Sequence, residues 1–371
     1  MGFTGYSIFP GFRVIGAVSE AVRELAFVFN LEAINALQTQ PEESLGWADI
    51  AGVTPASIVA KIPLDLTALD GFEEFKGTRN YKNIDVTAIE VDVNQWTRNV
   101  QWDERLASGS PEALVNALNL SNVAANLIMN ARRMKARIAA SVFLKGTPTA
   151  NLAKVYAGAN IPGAGLSLFN TAHYVNPMDP TSGTFKNYYA DFGPFDARSF
   201  AYTLLNMTEI DSPTGQAETL GLQVTDVIGG PQMREAFRRV ALADLILQTT
   251  ANTGSTGLVA AAPTNIYASG TTPCRFWIAP QLKNDPAYAN GGHMWIAVSR
   301  TIPGMRPIEM AAPTKEFTPK LQLWGDGSEL CMQTKKITLT ADLDAGAAAG
   351  LPHCVARYES GTGASAPTVN P

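Results

Sequence analysis

The sequence predicts an α+β fold, with strands gathered in sheets and helices inserted among them. Three observations lead there. Short apolar runs with period-2 alternation recur between Gly and Pro turns, and a few segments carry helical spacing, one of them very long. Strand and helix signals also lack the regular βαβ alternation of a parallel sheet. A chain of 371 residues has length for two or three domains and ample core.

Residues 1–16 are Gly- and aromatic-rich without a clear period. Residues 17–40 hold an amphipathic helix pattern that ends at Pro41, and residues 44–72 alternate short apolar runs with Gly46, Gly52, Pro55 and Pro63. Together, 1–72 reads as an extended arm with one helix.

Residues 73–108 read as a two-stranded ribbon. It runs out through Ile84–Ala88 and Ile89–Val93, with a slip at Ala88/Ile89 that predicts a bulge. A turn near Asn94-Gln95 returns it as Trp96–Trp102. Each leg reaches on the order of 30 Å. A lone hairpin is marginally stable in water. Trp96, Val100 and Trp102 share one face, so these residues and Arg98 are expected to contact another copy of the chain.

A long helix follows. Ser110 as N-cap, Pro111 at the first helical position and Glu112 behind it form a strong start. Apolar residues recur at Leu114, Leu118, Val123, Leu127, Met134, Ile138 and Val142. Arg132, Arg133, Lys135, Arg137 and Lys145 suit the C-terminal end of the dipole, and Gly146 with Pro148 stops the helix. Some 34 residues at 1.5 Å rise predict ~50 Å. A long helix beside an arm that needs a partner is shell architecture.

Residues 146–193 read as a loop-rich connector. Asp196 caps a helix through Met207, Leu220–Ile228 is a buried strand, and Gly230-Pro231 opens a helix with Phe237, Val240, Ala241, Leu245 and Ile246. Arg275–Ala279 and Met294–Val298 are strands around a polar turn. Lys320–Trp324 pairs with a strand over Glu329–Leu343, and Cys354–Tyr358 is a last short strand. Residues 359–371 have the Gly/Ser/Ala/Pro/Thr composition of a disordered tail.

Charged residues are 16% of the chain, against about 25% in an average soluble protein. That favours burial between subunits. A net charge of −5 argues against binding by phosphate neutralisation. Three cysteines without a CxxC pair read as buried reduced thiols. No apolar run has the length of a membrane span, no basic-then-apolar leader opens the chain, and Tyr6 stands where myristoylation requires Ser or Thr.

Chemistry is sparse. His173, His293 and His353 show no metal-site spacing, so neither a metal nor a cofactor is expected. No GxSxG, phosphate-loop or dinucleotide pattern is present, and no catalytic residue can be nominated. The basic cluster Arg132–Arg137 reads as a solvated or intersubunit helix end, or else as a face toward nucleic acid.

Four segments carry a family resemblance. They are Glu73-Glu74-Phe75-Lys76-Gly77-Thr78-Arg79, then Val100-Gln101-Trp102-Asp103-Glu104-Arg105, Leu168-Phe169-Asn170-Thr171-Ala172-His173, and Leu222-Gln223-Val224 leading into Pro231. With the order arm, ribbon, long helix, mixed domain and closing strands, residues 45–345 resemble the major capsid proteins of tailed bacteriophages, the Hong Kong 97-type fold. Within it they are most similar to the Mu-like major head subunit family.

The resemblance implies an N-terminal arm (1–72), an extended E-loop (73–108) and a peripheral P-domain with spine helix and connector (109–193). An axial A-domain (194–325), closing P-domain strands (326–358) and a tail (359–371) complete it. It implies no enzyme activity. It implies self-assembly, as hexamers and pentamers, into the icosahedral shell around a double-stranded DNA genome. Implied partners are a separate scaffold protein, a decoration or cement protein, a portal protein at one vertex, and packaged DNA through weak non-specific contact, with no membrane. The location implied is the virion, and the host cytoplasm during assembly. An unprocessed N-terminus is expected, and non-covalent cohesion too, since Lys76 and Lys82 fall at the base of the ribbon as read. The alternatives are a nanocompartment shell of the same fold, or an unrecognised enzyme.

Overall fold

A computed structural model describes residues 9–38, 43–65, 86–105, 122–157, 160–210, 219–242, 274–284, 293–302 and 304–360. The arm region holds β1 (Arg13–Ile15), α1 (Glu20–Gln38), β2 (Gly52–Pro55) and β3 (Val59–Asp65). Then come β4 (Val86–Asp92), β5 (Asn94–Asp103), α2 (Val123–Lys145), β6 (His173–Asn176), β7 (Asp179–Phe185) and β8 (Tyr188–Tyr189). The middle of the chain forms α3 (Ala197–Thr208), β9 (Asp226–Gly229), α4 (Arg234–Leu242), β10 (Arg275–Ile278) and β11 (His293–Val298). It closes with β12 (Ile308–Ala312), β13 (Lys320–Trp324), α5 (Glu329–Thr334), β14 (Lys336–Ala349) and β15 (Val355–Ser360). The class is α+β.

The larger sheet is built on β14. Its order is β1-β13-β14-β12-β2, and β5 also pairs with β14. Ile337, Leu339, Ala341, Leu343 and Ala345 alternate inward along β14 and are all buried. Helix α1 covers one end of that face with Val22, Leu25, Ala26, Phe29, Ala33 and Ala36, the three-to-four spacing of an amphipathic helix.

The strands read as one ribbon belong to two different pairings. β4 pairs antiparallel with β3, from Val59↔Asp92 to Asp65↔Val86. β5 pairs antiparallel with β14, from Lys336↔Asp103 to Ala345↔Asn94. Residues 86–103 are thus one extended run that changes partner at Val93, and Asn94-Gln95 makes no turn. The pair lacks the Gly that a two-residue hairpin turn favours. Register is continuous through Ile62↔Ile89 and Pro63↔Ala88, so the predicted bulge is absent. Gly346 permits the crossing: a Cβ there would lie 1.8 Å from Asp92 O. The ribbon that does form is β3 with β4. Its connection, residues 66–85, which contains Lys76 and Lys82, lies outside the described residues.

The long helix is shorter than its apolar spacing predicts. α2 has 23 residues and starts after Asn122, whose φ of 81° no helix can continue through. Asn tolerates this left-handed conformation. Ser110 and Pro111 lie outside the described residues. The α2 N-terminus is capped from α1, since Asn122 N and Ala124 N donate to the Glu32 carboxylate at 2.8 and 3.3 Å. Burial raises the Glu32 pKa, opposed by these bonds.

The stretch 329–343 is also not one strand. Ser328 Oγ accepts from Cys331 N at 3.2 Å and caps α5, and Lys335 at φ 57° turns the chain into β14.

The second sheet runs β10-β9-β11-β15-β8. β10 and β11 both flank β9, so they do not pair across a polar turn. Strand is confined to Asp226–Gly229 in the 220–228 run, although Leu222 and Val224 are buried. Asp196 caps α3 as predicted, accepting from Ser199 N at 2.8 Å in a capping box. Pro231–Met233 opens α4 as a turn of 3-10 helix, while Leu245 and Ile246 lie outside the described residues. β12 and β13 both pair with β14, and β15 pairs with β11.

Buried Asp226 pins this sheet. It accepts two hydrogen bonds from Arg300 at 2.9 Å, one from Trp277 Nε1 at 2.7 Å and one from Thr225 Oγ1 at 2.7 Å. Removing the carboxylate strands donors around an empty site. Asp226→Ala is expected to destabilise the chain by about 3 kcal/mol, read from the denaturation midpoint; a midpoint within 0.5 kcal/mol of wild type would contradict it.

Candidate assembly surface

The four residues expected at a subunit contact all lie on β5, on one face, opposite Leu343, Ala341, Leu339 and Ile337 of β14. Their fates differ because α1 covers only one end of the strand. Trp102 is 6% exposed and packs edge-on against Phe29 with ring centroids 6.0 Å apart. It belongs to this chain's own core. Val100 is half-buried against the same cluster. Trp96 and Arg98, beyond the reach of α1, remain exposed. Trp96 is 43% exposed, and its Nε1 donates to Ala345 O at 3.0 Å, which fixes the ring over the sheet.

Trp96 and Arg98 face a groove of about 740 Å³ between the sheet and α2. One wall is β5 and β14, the other is the α2 face carrying Leu127, Met134 and Leu144, and Pro280–Lys283 forms a rim. The basic cluster of α2 divides here. Lys135 binds Asp49 and Arg132 donates to Leu37 O, tying α2 to the arm region. Arg133 and Arg137, four apart on one helix face, turn into the groove. Only the placement of β5 against α2 identifies the groove residues as a set. The four-residue spacing of the two arginines was the available sequence signal.

The Phe185 ring lies 5.5 Å from that of His173 and 4.4 Å from that of His353. His173 Nε2 is 3.1 Å from Leu168 O, and His353 Nε2 is 2.9 Å from Val175 O. Burial lowers both histidines to about 4, helped in His173 by the nearby His353. Burial raises Glu309 to about 7 against the opposing charge of Arg306. Cys331 and Cys354 are buried and Cys274 is half-buried, none in a disulfide. Burial raises the thiol pKa of each, so thiolate is scarce at neutral pH. Among the described residues no His/Cys/Asp/Glu group could hold a metal ion, and no helix is long and apolar enough to cross a membrane.

No family model matches the sequence. No curated protein matches it. Among solved structures the chain is similar to the capsid of Ralstonia phage GP4, at 12% identity and TM-score 0.44, over 86% of this chain and 89% of that one. It is similar to the capsid of an empty GTA particle at 12% identity and TM-score 0.44, over 87% and 92%. It is also similar to a structure from Gordonia phage Cozz at 13% identity and TM-score 0.40, over 87% and 88%.

Proposed function

We propose that the chain is the major capsid protein of a tailed bacteriophage, of the Hong Kong 97 type, which self-assembles into the shell around the DNA genome. The observation that carries this reading is the β3–β4 ribbon. Its root rests on this chain's core through Ile89 and Val91, both buried. Its strands pair only with each other among the described residues, and they lead into a 20-residue connection, 66–85. Ile58 at its start is 78% exposed and Val59 45%. Such a ribbon is marginal alone and gains stability by lying on a neighbour.

In this reading the E-loop is β3, residues 66–85 and β4. The larger sheet with α2 as spine helix forms the P-domain, and the second sheet with α3 and α4 the A-domain. The chain acts as a structural subunit, in the virion and in the host cytoplasm during assembly. Its partners are further copies of itself as hexamers and pentamers, a separate scaffold protein, a decoration protein, a portal at one vertex, and packaged DNA touched weakly.

Electron microscopy of the purified full-length chain, with and without a co-expressed scaffold candidate, tests the proposal. Hollow shells tens of nanometres across are expected. Small uniform cages enclosing an enzyme would favour a nanocompartment shell, and a monomer under every condition would rule out both.

A further inference from the structure

The groove between α2 and the larger sheet carries charge of one sign. Arg98, Arg133, Arg137, Lys145 and Lys283 line it, and no Asp or Glu does among the described residues. All five cations are exposed. The whole chain has a net charge of −5, so this positive surface runs against the overall balance. Between the cations the floor is apolar, from Leu127, Met134 and Leu144 on α2 to Trp96 and Leu343 on the sheet. The bond from Trp96 Nε1 to Ala345 O holds the ring over that floor, so the apolar face is ready-made.

A one-signed rim around an apolar floor defines what fits. The volume of about 740 Å³ falls in the range of small-molecule sites, on the order of 300–1,000 Å³. A nucleic-acid backbone meets the charge and leaves the floor in water. A neutral hydrocarbon covers the floor and leaves the cations unused. A single-chain carboxylate satisfies both: its tail loses apolar surface to the floor, and its head accepts charge-assisted hydrogen bonds from guanidinium groups. Arg133 and Arg137 stand about one helical turn apart on one wall, and Arg98 is on the other.

We propose that the groove binds the anion of a free long-chain fatty acid, with the alkyl chain along the floor and the carboxylate among Arg98, Arg133 and Arg137. The proposal stands apart from the capsid reading, because it needs only the unassembled chain.

Calorimetric titration of the full-length chain with octanoate, decanoate and laurate, each below its micelle concentration, tests it. Burying one methylene corresponds to about a fourfold gain in affinity. One saturable site per chain is expected, tightening by about fivefold or more for each two carbons added. Arg98→Glu/Arg137→Glu is expected to weaken laurate by about tenfold or more, with the denaturation midpoint of the ligand-free chain unchanged. Arg137→Gln, a milder change on the same exposed side chain, should weaken it about threefold. Trp96→Ala should flatten the dependence on chain length.

Equal affinity for the three acids would reduce the site to an anion contact and overturn the proposal. So would equal binding of dodecyl maltoside, since the cations would then play no part. Laurate binding unchanged in both arginine variants would place the acid elsewhere on the chain. Phosphatidylglycerol vesicles or an oligonucleotide held more tightly than laurate would assign the groove to a bilayer or to nucleic acid instead.

Discussion

Replacing residues 66–85 with Asn-Gly leaves a folded, soluble chain that forms no shells: this is the largest effect the structure predicts on assembly. Asp65 and Val86 are directly opposed at the end of the antiparallel ribbon. A two-residue type I′ turn closes such a pair, and Asn-Gly is its preferred sequence. The replacement removes none of the buried residues that form the two described core clusters. Unfolding of the isolated chain should therefore match the wild-type subunit to within about 1 kcal/mol, while electron microscopy shows no shells. Particles of wild-type size from this variant would sink the argument that the ribbon's far end joins neighbours.

The choice of segment matters. A hairpin over residues 80–103 would make that stretch the natural deletion, and the topology forbids it. β5 pairs with β14 along ten residues, and Trp102 lies in the core beside Phe29. Loss of one buried aromatic side chain alone costs about 3–5 kcal/mol, and exposing the edge of β14 adds unpaired backbone groups. That deletion is expected to yield insoluble protein, which would reveal nothing about assembly.

This contrast shows which parts of the fold can be read from residues. Signals that act within one segment are legible. Asp196 with Ser199 announces α3, and the spacing of Val22, Leu25, Ala26, Phe29 and Ala33 announces α1. Partners are not legible in the same way. Alternation along residues 86–102 identifies a strand and its inward face but says nothing about what pairs with its edges. An extended run that passes from β3 to β14 reads like a hairpin until the long-range register is known.

The start of α2 is not legible in its own segment for a related reason. Its N-terminal cap comes from Glu32, 90 residues away in sequence, and not from an adjacent side chain. The candidate surface shows the same division. The period-2 pattern places Trp96, Arg98, Val100 and Trp102 on one face, but the reach of α1 decides which of them that face leaves open. Arg137 and Lys283 join the groove only because α2 and the segment Pro280–Asn284 pack beside the sheet.

Acid should weaken the subunit through two histidines and one carboxyl that act in opposite directions. His173 and His353 flank Phe185 in the interior, and their pKa values fall from 6.5 to about 4 chiefly through burial. The unfolded chain therefore binds more protons than the folded one between those values. Stability is full above pH 6.5 and falls as pH drops toward 4. Between pH 7 and 5 each histidine contributes a loss on the order of 2 kcal/mol. Glu309 works the other way. Burial raises it from 4.5 to about 7, so folding favours its protonated form and acidification over the same interval returns about 2 kcal/mol. The wild-type subunit is then expected to lose on the order of 2 kcal/mol, and Glu309→Gln, which removes the compensation, about 4 kcal/mol. The same variant should be more stable than wild type at pH 8, where its neutral amide replaces a buried charge. The chain with residues 66–85 replaced by Asn-Gly is the suitable background, because its unfolding is free of assembly. This interval also lies above the ordinary carboxylate range. Denaturation midpoints of Glu309→Gln that stay level from pH 7 to 5 would mean that the two histidines are protonated in the folded core.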